Sequence, residues 1–203
     1  MQIDRPPLAK VLVAGASRVG KTSLVNRLVL HDFLDVPPTI GVNFAQKVCI
    51  GDAGPLNLSI WDLSGQERFR FIMPQLCSGA LGAVLVFDQT QPASLEAAAE
   101  WLDFIARYAN PSHRYAIVLV GAKADLEPAL NPAIIQSFCN SHNITTYVQC
   151  SSKTGSNVKL VFDTVASAIQ LSCPELAMNT GLVAAKRSTE TRSAACETPP
   201  SEY

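Results

Sequence analysis

Residues 15–22, "GASRVGKT", restrict the fold of this chain more than any other segment. The apolar run "LAKVLVA" precedes them and the amphipathic run "TSLVNRLVLH" follows, so they lie between a predicted strand and a predicted helix. Glycines at this spacing let backbone N–H groups approach an anion, and the start of the helix adds further unpaired N–H groups. We predict a polyphosphate-binding loop with Lys21 as its cation. The alternative is a glycine-rich turn with a solvated lysine.

Short apolar runs alternate with amphipathic helical patterns along most of the chain. Runs such as "GAVLVFD" and "YAIVLVGA" are continuous in apolar character, which is typical of parallel strands covered by helices on both faces. The runs "NFAQKVCI" and "LNLSIWD" are separated only by "GDAGP", which leaves no room for a helix and predicts an antiparallel hairpin at one edge. The predicted fold is α/β, with a doubly wound, mostly parallel six-stranded sheet.

Composition limits the other possibilities. A chain of 203 residues that is 48% apolar is long enough for one domain with a tail. The formal net charge of -1 gives no general attraction for nucleic acid or anionic lipid. The first residues do not resemble a signal peptide, and the longest apolar run is far shorter than a membrane span. Six cysteines without a CxxC pair favour a reducing, cytoplasmic location.

The segment "WDLSGQE" is a second chemical signal, at the end of the second hairpin strand. Asp62 is placed to hold Mg²⁺, and Gly65 leaves its amide free to approach a terminal phosphate. Gln66 is then placed to orient an attacking water. Taken alone, Asp62 would more often be a turn former.

Together the motifs resemble those of a known family. "GASRVGKT", Thr39 in "PPTIGVNF", "WDLSGQERFR", "KAD" and "CSSKTG" occur in the order and at the spacings of the Ras-like small GTPases, most similar to the Rab branch. The resemblance covers about residues 10–171. It implies a P-loop NTPase fold, a GTPase domain at residues 8–172 and a flexible tail at 173–203. It also implies Mg²⁺-dependent hydrolysis of GTP to GDP, slow without an activating protein, by a switch in vesicle trafficking or signalling.

The resemblance assigns roles to individual residues. Phosphate binding is implied for Gly15, Ala16, Ser17, Arg18, Val19, Gly20, Lys21, Thr22, Ser23, Thr39 and Gly65. The implied metal ligands are Thr22, Thr39 and Asp62, and the implied catalytic residue is Gln66. Guanine contacts are implied for Phe33, Lys123, Asp125, Ser151, Ser152 and Lys153. Residues 39–44 (switch I) and 65–76 (switch II) are the implied contact surfaces for effectors, exchange factors and GTPase-activating proteins.

The base-binding loop departs from the family at Ala122. By the resemblance, the Asp125 carboxylate selects guanine by accepting two hydrogen bonds from the base, whereas relatives carry an asparagine at position 122 that bonds the base and ties the loop to the P-loop. Losing such a side chain typically costs about 1–3 kcal/mol, equivalent to roughly ten- to hundredfold in affinity. We expect guanine specificity to be kept, with weaker binding and faster release.

Three further positions differ from the family pattern. Arg18 is expected to point outward as a solvated charge, the alternative being a contact with a phosphate. Ser152 replaces an alanine where the backbone amide matters, so binding is expected to survive. Leu76 stands where Rab proteins usually carry the third aromatic of an effector-facing triad that begins with Phe44 and Trp61.

The tail and two rival functions complete the expectations. Cys196 lies too far from the end for prenylation, and residues 174–203 hold three basic and four acidic side chains, so no polybasic anchor is present. We expect membrane contact only through partners or acylation of Cys173 or Cys196. The rivals are a non-hydrolysing nucleotide-bound scaffold and a P-loop kinase or ATPase.

Overall fold

The computed structural model of the chain describes residues 5–34, 36–109 and 115–177. Residue 172, the predicted end of the domain, is also the final residue of the helix Val158–Ser172. Most of the predicted tail, from residue 178 onward, lies outside the described residues, and Cys196 lies outside them as well.

Alternating strands and helices fill the described residues. The strands are β1 (Leu8–Ala14), β2 (Val42–Gly51), β3 (Gly54–Leu63), β4 (Gly82–Asp88), β5 (Ala116–Ala122) and β6 (Tyr147–Gln149). The helices are α1 (Lys21–Leu30), α2 (Met73–Cys77), α3 (Pro92–Tyr108), α4 (Pro132–Ser141) and α5 (Val158–Ser172), with 3-10 segments at Glu67–Ile72 and Pro174–Leu176.

The six strands form one sheet in the order β2-β3-β1-β4-β5-β6. The edge pair β2 and β3 is antiparallel, and the remaining pairs are parallel. Every residue of β4 is buried, because this central strand is covered on both faces. The predicted six-stranded sheet and its antiparallel edge hairpin are therefore confirmed.

Helices cover both faces of the sheet, as predicted. Helices α1 and α5 pack on one face, around Leu24 and Phe162. Helices α2, α3 and α4 pack on the other, around Phe87 and Trp101. The reversal of strand order at β1 places a crevice at the carboxyl ends of the strands, which is where open α/β sheets bind ligands.

One helical segment was not anticipated from the sequence. Residues 67–77 form the first 3-10 segment and α2, in the region named switch II by resemblance. Met73 and Cys77 are fully buried, and Phe69 and Ile72 pack partly against the same cluster. These spacings of three and four residues place all four side chains on one helical face, but a segment so short gives little periodic signal.

Helix α5 holds the edge hairpin through side-chain hydrogen bonds to its backbone. Three side chains contribute: Asp163, Ser167 and Gln170. The Gln170 side chain accepts from the Ala53 N–H at 3.0 Å and donates to the Gly54 carbonyl at 3.0 Å. Because the glutamine is almost fully buried, its bonds fix the turn against the helix.

We predict that Gln170→Leu lowers the free energy of unfolding by about 1–2 kcal/mol, because two backbone groups of the turn lose their partner. Urea denaturation monitored by circular dichroism measures the change. Gln136→Leu, on the exposed face of α4, is the matched control and should change stability by less than about 0.5 kcal/mol. Equal effects of the two substitutions would contradict the clamping role of Gln170.

Candidate functional site

A cavity of about 310 Å³ lies where the loop after β1 meets the segments that precede β2 and follow β3. Its lining combines glycines, hydroxyl groups and two cationic side chains. The lining residues are Ser17, Arg18, Gly20, Lys21, Thr22, Ser23, Val36, Pro37, Pro38, Thr39, Ser64 and Gly65. The cavity therefore brings together three segments that the sequence analysis had assigned separately to phosphate binding.

Two glycines give the loop between β1 and α1 its path. Gly15 has φ of 140°, and a Cβ built on it would lie 2.1 Å from the Val86 carbonyl oxygen of β4. Gly20 caps α1 with φ of 106°, a left-handed conformation that other residues rarely adopt. These glycines let the loop pass close to β4 and turn directly into α1, whose first N–H groups have no partner within the helix.

Lys21 places a buried ammonium group beneath this loop. Its Nζ donates to the carbonyls of Gly15, at 2.9 Å, and Ala16, at 2.6 Å. Burial lowers the pKa of Lys21 to about 8, against the opposing influence of the Asp62 charge. A buried cation with only carbonyl partners is well suited to a polyanion, whose charge would restore the charged form of the lysine.

Thr22, Thr39 and Asp62 come together from three separate elements. The Thr22 hydroxyl donates to Asp62 Oδ2 at 2.6 Å and lies 2.5 Å from the Thr39 hydroxyl. Burial raises the pKa of the Asp62 carboxyl, and the bond from Thr22 opposes that shift. Asp62 Oδ1 is buried and lacks a partner among the described residues. Two hydroxyls and a buried carboxylate with an orphaned oxygen form a hard oxygen donor set that fits Mg²⁺.

The two switch segments are joined to each other at this cavity. The Thr39 carbonyl accepts from the Ser64 hydroxyl at 2.8 Å and from Gln66 Nε2 at 3.2 Å. Gly65 lies so close to the first loop that a Cβ on it would be 2.4 Å from the carbonyl carbon of Ala16. Only a glycine permits this approach, so the position of switch II depends directly on the position of the phosphate loop.

The proposed base-binding residues lie in the loops after β5 and β6. The Ser151 hydroxyl donates to Asp125 Oδ1 at 2.6 Å and accepts from the Thr154 N–H. Lys123, with a left-handed φ of 61°, places its Nζ 2.5 Å from Asp88 Oδ2 at the end of β4. Burial raises the pKa of Asp88, but the bonds from Lys123 and Thr90 outweigh it and hold the pKa below its usual value. The two charged residues of the "KAD" segment, Lys123 and Asp125, are thus held by buried partners.

Ala122 is buried between the base loop and the phosphate loop. Its side chain is 2% exposed and belongs to the same apolar cluster as Cys150. A Cβ built on Gly20 would lie 3.8 Å from the Ala122 Cβ, which is ordinary van der Waals contact. Ala122 therefore lies near the phosphate loop but offers no side-chain hydrogen bond to it.

The remaining predicted residues differ in how far their side chains are buried. The Val19 side chain lies in the apolar core, so only its backbone faces the loop. Arg18 is exposed at the cavity rim, with a left-handed φ of 64°. The Phe33 ring is 45% exposed. Ser152 is buried in the loop after β6, whereas Lys153 is exposed.

Two residues of the site were missed by the sequence analysis. The Ser64 hydroxyl donates to the Thr39 carbonyl and accepts from the Gln66 N–H, so it connects the two switch segments. Nothing in the sequence "WDLSGQE" distinguishes it from a residue that only separates Asp62 from Gly65. Asp88, the partner of Lys123, was recorded only as the end of an apolar run. Its place at the carboxyl end of a central parallel strand is the signal that could have identified it.

The comparisons with known proteins agree with this arrangement. The model of the Ras family matches residues 10–171. The chain is 35% identical over 175 residues to GTP-binding protein YPT53 of Saccharomyces cerevisiae, covering 82% of this chain and 77% of that protein. It is 35% identical over 161 residues to mouse (Mus musculus) Ras-related protein Rab-7b, covering 78% and 80%. The chain therefore belongs to the Ras family of small GTPases, in its Rab branch.

Proposed function

We propose that this chain is a guanine-nucleotide switch that binds GTP and hydrolyses it to GDP in intracellular vesicle trafficking or signalling. The observation that carries the proposal is one cavity lined by Lys21, Thr22, Thr39 and Gly65. The Thr22 hydroxyl of this cavity lies 2.5 Å from the Thr39 hydroxyl and donates to the buried Asp62 carboxylate, whose second oxygen lacks a partner among the described residues. This set supplies a cation for the phosphates, an oxygen donor set for Mg²⁺ and a glycine amide beside the phosphate loop.

Phosphate binding falls to the loop amides and Lys21. The loop donates backbone N–H groups from the start of α1, and Lys21 supplies a buried positive charge beside them. Thr22, Thr39 and Asp62 would hold Mg²⁺, which supplies neutralisation of the charge on the β- and γ-phosphates. Thr39 belongs to switch I and Gly65 to switch II, so the γ-phosphate end of the nucleotide would order both switches.

Hydrolysis requires an oriented water opposite the leaving GDP. In the reaction, the water oxygen bonds to the γ-phosphorus while the bond from that phosphorus to the β–γ bridging oxygen breaks. Gln66 is within hydrogen-bond distance of the Thr39 carbonyl, so its amide lies between the two switches where such a water would stand. By analogy with Ras-type intrinsic turnover, on the order of 10⁻⁴ per second, an activating protein is needed for a fast switch.

Guanine selectivity rests on Asp125, with Lys123, Ser151 and Ser152 shaping the base site. The bond from Ser151 fixes the Asp125 carboxylate for the N1–H and exocyclic amine of guanine, a donor pair that adenine lacks. Phe33 and Lys153 are exposed, and we propose that they close over the base when nucleotide is bound. Among the described residues nothing favours the rival scaffold or the kinase and ATPase functions.

The partner surface is proposed at residues 39–44 and 65–76. Ile40, Phe44 and Phe71 are more than 60% exposed, which is unusual for large apolar side chains on a soluble domain. Phe44 also packs edge-on against Trp61 with ring centroids 4.7 Å apart, whereas Leu76, in α2, is partly buried against the core cluster. Effectors, exchange factors and activators would therefore meet an apolar surface whose shape depends on the switches.

We also propose a cytoplasmic location, with peripheral membrane contact through partners or acylation. The five described cysteines are free and buried, as expected in a reducing compartment. Among the described helices, none combines the length and apolar character that a bilayer crossing requires.

Gln66→Leu tests the hydrolytic function. We expect single-turnover hydrolysis of bound GTP to slow about tenfold or more, because the water loses the amide that orients it, while GDP affinity stays unchanged. Phosphate release from preloaded protein is the measurement. Gln75→Leu, an exposed glutamine of the same segment, is the matched control and should keep the native rate. An unchanged rate in the Gln66 variant would favour the non-hydrolysing scaffold.

Asp62→Asn tests the proposed metal site. The native chain should bind GDP far more tightly in Mg²⁺ than in EDTA, and the substitution should reduce that ratio by about tenfold or more, because the buried carboxylate loses its charge. Fluorescent GDP titrations in both buffers measure it. Asp52→Asn, in the exposed hairpin turn, should leave the ratio as it is. An unchanged ratio of GDP affinities in Mg²⁺ and EDTA for Asp62→Asn would show that Asp62 does not hold the ion.

Ala122→Asn tests whether the altered base loop tunes affinity. We expect the substitution to slow GDP release by about tenfold or more, because the new amide can bond the base and the phosphate loop. Release of fluorescent GDP after addition of excess unlabelled GDP gives the rate. The control is Ala124→Asn, which adds the same side chain at an exposed position of the loop. Release that is equal to or faster than native in the Ala122 variant would show that Ala122 does not set the affinity.

A further inference from the structure

A buried glutamine lies directly beneath the base-binding loop and has no part in the function described so far. Gln89 follows the last residue of β4 and is only 2% exposed. Its Nε2 donates to the Gly121 carbonyl at 3.0 Å and to the Ala122 carbonyl at 3.3 Å. The side chain thus holds the two peptide units from which Lys123 and Asp125 continue.

The same side chain is anchored on its other side by β6. Gln149 Nε2 donates to Gln89 Oε1 at 2.9 Å, and the Tyr147 hydroxyl lies 3.5 Å from that oxygen. The amide of Gln89 therefore has a bonded donor side and a bonded acceptor side, which fixes its orientation. A buried amide with such partners is stable where an unpaired one would be costly.

The Gln89 backbone adds two more links to the base loop. Its N–H donates to the Ala122 carbonyl at 3.3 Å, and its carbonyl accepts from the Ala129 N–H at 2.9 Å. These bonds hold both ends of the loop that carries Lys123 and Asp125. The Ser151 hydroxyl holds the Asp125 carboxylate directly, and the bonds to Gln89 hold the backbone from which Asp125 projects.

Gly121 of β5 leaves the space that the Gln89 side chain occupies. A Cβ built on Gly121 would lie 2.9 Å from the Gln89 Cγ and Cδ atoms and 2.6 Å from the Tyr147 hydroxyl. Contacts so close are not tolerated between real side chains, so β5 provides the space that Gln89 fills. Gln89 therefore follows β4 and packs against the adjacent strands β5 and β6.

We propose that Gln89 is a positioning residue for guanine recognition, whose buried amide fixes the Gly121–Ala122 backbone and thereby aligns Asp125 with the base. This proposal rests on the proposed guanine-nucleotide function. It explains how the loop keeps its place although Ala122 contributes no side-chain bond to the phosphate loop.

Base discrimination separates a positioning role from a merely structural one. Inosine diphosphate lacks the exocyclic amine of GDP, so the ratio of the two affinities reports how well Asp125 meets the second donor. We expect Gln89→Leu to lower the GDP preference over inosine diphosphate about tenfold, equivalent to one well-formed hydrogen bond to a charged group. The affinity for inosine diphosphate itself should fall much less.

Gln170→Leu is the matched control, because Gln170 is also a buried glutamine that bonds backbone groups, but at the distant hairpin turn. It should lower stability and leave the GDP preference unchanged. Gln149→Met gives a second variant at an exposed site that tolerates substitution; it removes one restraint on Gln89 and should lower the preference in the same direction, by less. This variant decides the question if Gln89→Leu does not fold.

The outcomes separate the two proposals. A lower GDP preference in the Gln89 and Gln149 variants alone supports the positioning role. An unchanged preference in them, or an equal loss in the Gln170 variant, overturns it while the switch function stands. A native chain that binds neither GDP nor inosine diphosphate overturns the proposed function, and the role of Gln89 with it.

Discussion

Contact between backbone and backbone is the constraint on which the site depends. Gly15 lies against the Val86 carbonyl, and Gly65 lies against the peptide between Ala16 and Ser17, at distances that leave no room for a side chain. The phosphate loop is therefore held between β4 on one side and switch II on the other. Since packed groups of this kind shift between discrete arrangements rather than deform smoothly, a change in the loop is passed on to switch II.

The same close packing sets the electrostatics of the site. Burial lowers the pKa of Lys21 to about 8 and raises that of Asp62, so the protein alone disfavours the charged form of both groups. A polyphosphate with its cation supplies the opposite charge to each. Binding would therefore stabilise the charged forms of Lys21 and Asp62 that burial disfavours. Because such a ligand binds only the folded chain, it also raises the free energy of unfolding.

Local patterns explain which parts of the molecule could be predicted. The sheet, its edge hairpin and the phosphate loop follow from apolar runs and from glycine spacing, which are signals within a few residues. Side-chain direction in loops has no such period, so the sequence did not show that the Val19 side chain packs in the core, where only its backbone is left for the predicted phosphate site. Ser64 and Gln89 were missed because their partners lie on segments far away in sequence.

The base site and the phosphate site are anchored by different means. Ala122 lies near Gly20 of the phosphate loop, but its methyl group can form no hydrogen bond to that loop. The base loop is instead tied to the sheet by Asp88, through Lys123, and by Gln89, through the carbonyls of β5. Both residues follow Val86 on β4, the strand whose carbonyl supports Gly15. Strand β4, with Gln89 directly after it, is therefore the rigid element common to both sites, so the proposed guanine selectivity does not depend on a direct tie between the two loops.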